Sequence, residues 1–186
     1  SGENAKKALL EYGFTDVCLL DPSHTDFIDR IKERDVAFLA LHGAGGEDGQ
    51  VQHILEYLGI PYTGSDAFSS TCAADKELSK LLYDHADIPV ARGTAFKRGD
   101  RYDVGLVVEQ LGEKLFVKPA VNGSSYGVSK VTHAEELSDA IENAFKYSDK
   151  VLIEECLEGT EITVGVFGDD ETLRALPVVE ICCPEQ

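Results

Sequence analysis

An α/β fold that passes into α+β near residue 65 is the architecture this sequence predicts, on three observations. Up to that point helical and extended patterns alternate, which implies a doubly wound parallel sheet. The run "DVAFLALHG" (35–43) is apolar almost throughout, as a strand buried on both faces of such a sheet must be. After residue 65 the order of elements changes, and the last runs alternate like antiparallel strands.

Taken in order, the first pattern is helical. Ala5, Ala8, Leu9 and Tyr12 share one face, and Gly13 is a suitable stop. "TDVCLLD" (15–21) reads as a strand, followed by a helical segment around Phe27, Ile28 and Ile31. After the strand 35–43 comes the loop "HGAGGEDG", then a helix with Val51, Ile54, Leu55 and Leu58 at i, i+3, i+4 and i+7. Gly59 stops that helix and Pro61 lies just beyond. Residues 66–87 read as one helical stretch that Pro89 ends, and "ARGTAFKR" as a strand. A weakly patterned helix, "YDVGLVVEQLG", leads into the strand "KLFVKPA" (114–120), a loop, and the strand "YGVSKVT". Thr132 and Glu135 give a capping-box signature for a helix bearing Leu137, Ile141 and Phe145. "KVLIEECL" (150–157) is an apolar strand, and "TEITVGVFG" and "LRALPVVEI" follow as antiparallel strands.

Composition narrows the class. At 186 residues, 43% hydrophobic and 27% charged, the chain has material for a sizeable core. No run approaches the roughly 18–20 apolar residues of a membrane span, and no signal peptide opens the chain. The net charge of −17 repels a phosphate backbone, so nucleic acid is not expected as a partner, and any anionic ligand must be met by a few local lysines or amides. Cys18, Cys72, Cys156, Cys182 and Cys183 are odd in number and form no C-x-x-C pair. They read as buried free thiols of a cytoplasmic protein, rather than as disulfides or a zinc site. There is no methionine, the chain opens in a helix and it stops just after a strand, so both ends are expected to be incomplete. The expected domains are 1–64, 65–154 and 155–186.

Three stretches can carry chemistry. In "HGAGGEDG" (42–49) the glycines can bring backbone amides close to an anion, although a plain strand-to-helix turn is the commoner reading. In "KPAVNGSSYGVSK" (118–130), Lys118 ends an apolar strand, and Gly123, Ser124, Ser125 and Gly127 supply amides and hydroxyls. A long hairpin turn and a loop folding over phosphate fit it equally well. The P-loop pattern G-x-x-x-x-G-K-[ST] is absent. In "LIEECLEGTEITV" (152–164), Glu154 and Glu161 can serve a purine edge and a ribose, or can simply be solvated.

In this order the stretches carry a resemblance. "LALHGAGGEDGQVQHILEYLGIPYTGS", "DKELSKLL", "FVKPAVNGSSYGVSKV" and "VLIEECLEGTEITV" resemble the D-alanine–D-alanine ligases of the ATP-grasp superfamily, along essentially the whole chain. The resemblance implies an N-terminal α/β domain, a central ATP-grasp domain, and the start of a C-terminal ATP-grasp domain. It implies ATP-dependent joining of two D-alanines through a D-alanyl phosphate, for peptidoglycan synthesis, with Mg²⁺, in a homodimer. It implies that Lys76 and Lys118 contact the ATP phosphates and that the loop bearing Ser124 and Ser125 closes over them. Glu154 contacts the adenine amino group, the backbone at Glu155 and Leu157 the purine edge, and Glu161 the ribose, with Phe116 in the adenine pocket. His42 lies near the first D-alanine, and His42 and Ser124 are the residues here nearest the chemistry. The glycine-rich loop for the first substrate, a transition-state arginine and the Mg²⁺ ligands match nothing in this chain, so it is expected to be inactive alone. Two other activities share the pattern: a D-lactate or D-serine ligase of the same family, and a non-catalytic ATP-binding module.

Overall fold

The structure, a computed structural model, describes residues 2–123, 125–169 and 171–182. The chain divides into two compact units, Ser1–Glu155 and Cys156–Gln186.

The first unit opens with α1 (Gly2–Tyr12), α2 (Phe27–Ile31) and α3 (Gln50–Leu58). Gly59 ends α3 in the left-handed conformation at φ 70°, which an L side chain resists. Phe27 and Ile31 pack with Val51, Leu55 and Ile60 to form a small core. The two strands expected here form no ladder among the described residues. Ala37 alone makes a parallel bridge to Tyr62, with Ala37 N–H donating to the Pro61 carbonyl at 2.8 Å and Thr63 N–H to the Ala37 carbonyl at 3.1 Å. A strand needs a neighbour's amides and carbonyls in register as well as an apolar run. Segments 17–20 and 36–41 instead line a cavity of about 320 Å³.

The stretch 66–87 is two helices, α4 (Ala67–Ala74) and α5 (Lys76–His85), not one. Asp75 breaks it. Its backbone is extended (φ −98°, ψ 108°) and its carboxylate accepts the N–H groups of Glu77 and Leu78 as the cap of α5. The same residue bridges Val121, and Lys76 N–H donates to the Ala120 carbonyl at 2.9 Å.

The centre of the unit is a four-stranded antiparallel sheet in the order β1-β4-β2-β3. Its strands are β1 (Gly93–Lys97), β2 (Leu115–Pro119), β3 (Ser129–Val131) and β4 (Lys150–Glu155), with α6 (Val104–Leu111) between the first two. A 3-10 turn (Ala134–Glu136) leads into α7 (Leu137–Ala144). Glu136, not Glu135, closes that turn: its carboxylate accepts Thr132 N–H at 2.9 Å and His133 N–H at 3.3 Å. The cap therefore sits one residue later than the sequence pattern suggested. Side chains alternate across the sheet. Leu115, Val117, Val131, Val151 and Ile153 point to one face and are buried with Leu137, Ile141 and Phe145. Burying an aliphatic side chain of this size contributes about 1.5–3 kcal/mol, so this face and α7 hold the unit's main core.

The second unit consists of two short antiparallel pairs. β5 (Ile162–Thr163) pairs with β8 (Val179–Glu180), and β6 (Val166–Phe167) with β7 (Arg174–Ala175). Its described residues are almost all exposed.

Candidate nucleotide site

Alternation that buries one face of the sheet leaves a polar set on the other. Phe116 lies opposite Glu154, and Lys118 opposite Leu152, in the pairing of β2 with β4. These four residues therefore share the face away from the apolar core, and the side chain of Lys80 on α5 reaches it.

Glu154 is the centre of that face. It is buried, and its carboxylate is taken at both oxygens: Lys80 bonds Oε1 at 2.5 Å and Lys118 bonds Oε2. Burial works against ionisation, yet the ammonium groups of Lys118 and Lys80 outweigh it and hold the carboxyl below the usual glutamate range. Lys76, one turn before Lys80 on α5, sends Nζ to the Asn122 carbonyl at 2.5 Å. Burial and the neighbouring charge of Lys118 make Lys76 harder to protonate than a free lysine. Two ammonium groups thus bond one carboxylate, and a third, Lys76, stands near enough to feel the charges of Glu154 and Lys118, in a chain whose net charge is −17. This arrangement can receive a polyanion: an incoming phosphate relieves the repulsion between Lys76 and Lys118.

The neighbouring ties are structural. Lys150 joins Asp75 at 2.5 Å and Glu77 at 2.8 Å, fixing the start of α5 to β4. Arg92 clasps Glu155 from Nε (2.9 Å) and Nη2 (2.7 Å). The Glu155 N–H donates to the Arg92 carbonyl at 3.0 Å, so that amide is already committed.

The loop after β2 rests on the same framework. Ser125 has φ 58° and Gly127 φ 74°. A Cβ on Gly127 would come within 2.5 Å of Tyr147 Cδ2 and 3.0 Å of Pro119 Cγ, so only glycine passes there. The Ser125 side chain is exposed, and Ser124 lies outside the described residues.

The glycine loop of 42–49 looks inward. Gly43 N–H donates to Glu47 at 2.6 Å and Gly45 N–H to Asp48 at 2.8 Å, while the N–H groups of Gly46 and Glu47 turn back to the Gly43 carbonyl. These amides serve the loop's own turn. His42, just before them, is exposed. Leu157 and Glu161 belong to the second unit, where both are exposed and the Glu161 carbonyl accepts Ile181 N–H at 2.8 Å.

The structure therefore brings Lys76, Phe116, Lys118 and Glu154 to one sheet face. Sequence reasoning missed Lys80 and Arg92. Lys80 had a signal, being four residues after Lys76 on the same face of a helix. Arg92 had none, because its partner lies 63 residues away.

A family model described as the D-ala D-ala ligase C-terminus matches residues 82–186, and one described as the D-ala D-ala ligase N-terminus matches residues 16–65. The chain belongs to the D-alanine–D-alanine ligase family. A D-alanine–D-alanine ligase of Syntrophobacter fumaroxidans is 43% identical over 183 residues, 97% of this chain and 58% of that protein. One from Polaromonas naphthalenivorans is 41% identical over 189 residues, 100% of this chain and 58% of that protein. The chain thus spans 58% of the length of these two ligases. Among solved structures, the D-alanine–D-alanine ligase of Coxiella burnetii superposes with a TM-score of 0.74 at 31% identity, covering 79% of this chain and 44% of that one. The VanG D-Ala:D-Ser ligase of Enterococcus faecalis gives 0.70 at 37% identity, covering 78% and 43%. The mixed helix-and-sheet fold is thereby that of the D-alanine–D-alanine ligases.

Proposed function

We propose that this chain carries part of the ATP site of a ligase that joins two D-alanines for peptidoglycan synthesis, working as a homodimer in the cytoplasm. The pairing of Lys80 and Lys118 with Glu154, with Lys76 beside them, in an otherwise acidic protein, is the observation that carries the reading. The domains are taken as 1–64, the N-terminal α/β domain; 65–154, the central ATP-grasp domain; and 155–186, the beginning of the C-terminal ATP-grasp domain.

In this reading ATP transfers its γ-phosphoryl group to the carboxylate of the first D-alanine, giving an acyl phosphate and ADP. The amine of the second D-alanine attacks the acyl carbon, loses a proton and expels phosphate. Lys76 and Lys118 turn to the ATP phosphates and offset charge developing in the transfer. Glu154 accepts from the adenine amino group, with Phe116 beside the ring. The backbone at Glu155 and Leu157 meets the purine edge, through carbonyls as well as any amide left uncommitted. Glu161 takes the ribose hydroxyls. Ser124 and Ser125 close over the phosphates and keep water from the acyl phosphate, and His42 lies toward the first D-alanine. Mg²⁺ draws charge from the phosphates; no residue of this chain is assigned to it.

The test is D-alanine-dependent phosphate release from ATP by the full-length protein, with the dipeptide as product. ATP binding without such release would favour the non-catalytic module. Within the same assay, Lys118→Ala is expected to weaken ATP affinity tenfold or more, and Ser124→Ala to lower turnover chiefly. Unchanged affinity in Lys118→Ala would remove that lysine from the site. The likeness to a D-Ala:D-Ser ligase at 37% identity keeps a second product in play; competition between D-alanine, D-serine and D-lactate, read by mass spectrometry, separates them.

A further inference from the structure

Lys80 is given no role by the ATP reading, yet it bonds Glu154 directly. Its side chain is only 18% exposed, and its Nζ bonds both Glu154 Oε1 at 2.5 Å and the Ala91 carbonyl. The second bond ties the ammonium to the backbone that leads into β1, so Lys80 is held from two directions. Gly93, directly across from Glu154 in the β1–β4 pairing, keeps the approach open. A Cβ there would meet the Ile153 carbonyl oxygen at 2.7 Å and Glu154 Cγ at 3.0 Å.

Lys118 is in a different position. It shares Glu154 in this structure, but the proposed function turns it toward phosphate. Glu154 then keeps one counter-charge. A buried carboxylate without a partner takes up a proton, and a protonated carboxyl donates as well as accepts. That matters for base choice. A 6-amino purine donates at the position where a 6-oxo purine accepts, and only an ionised carboxylate welcomes the first and repels the second.

We propose that Lys80 is a positioning residue that keeps Glu154 aimed and acting purely as an acceptor once Lys118 engages phosphate, and thereby sets the preference for a 6-amino over a 6-oxo purine nucleotide. The inference rests on the ATP-site reading above. Among the described residues, the charged groups around Glu154 are Lys80 and Lys76 from α5, Lys118 from β2, and the Arg92–Glu155 pair beside the β1–β4 pairing. Lys80 alone combines a direct bond to the carboxylate with an anchor that phosphate does not compete for.

The experiment measures the affinities of the full-length protein for ATP and ITP by calorimetry at pH 6 and pH 8. The parent is expected to prefer ATP at both. In Lys80→Met the ATP-to-ITP preference should fall about tenfold, the strength of one charge-assisted hydrogen bond. The loss should be larger at pH 6, where an unpaired Glu154 binds its proton. Lys80→Arg, which keeps the charge, should retain the preference. Glu154→Gln should lose it, and adding Lys80→Met to Glu154→Gln should change it no further. Should Lys80→Met fail to fold, Lys80→Gln, which keeps a donor for the Ala91 carbonyl, takes its place with the same expected loss. A folded Lys80→Met with the parent's preference and pH profile overturns the inference and leaves the ATP site standing. A parent that binds neither nucleotide overturns both.

Discussion

Glu154 shows how a single position can be legible in kind and hidden in setting. The sequence placed a carboxylate at the end of an apolar strand, and alternation told which face it took. That its charge would be met by Lys80 and Lys118 depended on which strands pair and on where α5 lies, information that no local spacing holds. The consequence for stability has a definite sign. The carboxyl is held below its unfolded value near 4.3. Its contribution is therefore present above that value and is lost as pH falls through the lower folded one. Urea unfolding of the parent and Glu154→Gln should differ most near neutrality and converge as pH drops below about 4. A difference that persists unchanged at pH 3 would mean that the ion cluster adds nothing to folding.

Among the elements, the break between α4 and α5 decides the site. Read from the sequence, 66–87 was one helix, because nothing in "CAADKEL" forbids continuing. The break comes from tertiary partners: Asp75 bridges Val121 and is held by Lys150, and only an extended residue can do both. It places Lys76 and Lys80 over the sheet face. Asp75→Ala removes a helix cap and an ion-pair partner together, and a loss of about 1–3 kcal/mol is expected in urea unfolding. ATP affinity should fall with it, since α5 loses its anchor at the end that carries Lys76. The strands of 93–155 were legible to within a few residues, because one apolar face writes a period of two. The runs at 15–21 and 35–43 were legible as apolar, but not as lacking a strand ladder among the described residues, since hydrophobicity reports burial and says nothing of a neighbour in register.

Across the whole molecule, protection is unevenly distributed. Leu115, Val117, Val151 and Ile153 are fully buried in the sheet, whereas residues 156–182 keep Ile162, Val166, Phe167 and Val179 more than half exposed on two-residue pairings. Isolated pairings of this kind are marginal in water. Amide hydrogen exchange should accordingly be slowest in β2 and β4 and fastest in 156–182, with the 15–41 region between them. Equal protection across the chain would contradict this ordering. The charge of −17 was legible from composition; its local inversion around Glu154 was expected for Lys76 and Lys118 through the family resemblance and missed for Lys80, because no local spacing joins residues 76, 80, 118 and 154.

The pairing of β2 with β4 carries one more implication. Leu115, Val117 and Pro119 on one side, and Phe116 and Lys118 on the other, are told apart only by parity. Slipping β2 by one residue would drive the Lys118 ammonium into the apolar core and turn Val117 outward in its place. Core and cation patch therefore share a single alignment. An insertion of one residue within 115–119 cannot damage binding while sparing the fold, and two residues is the smallest step that leaves both faces in kind.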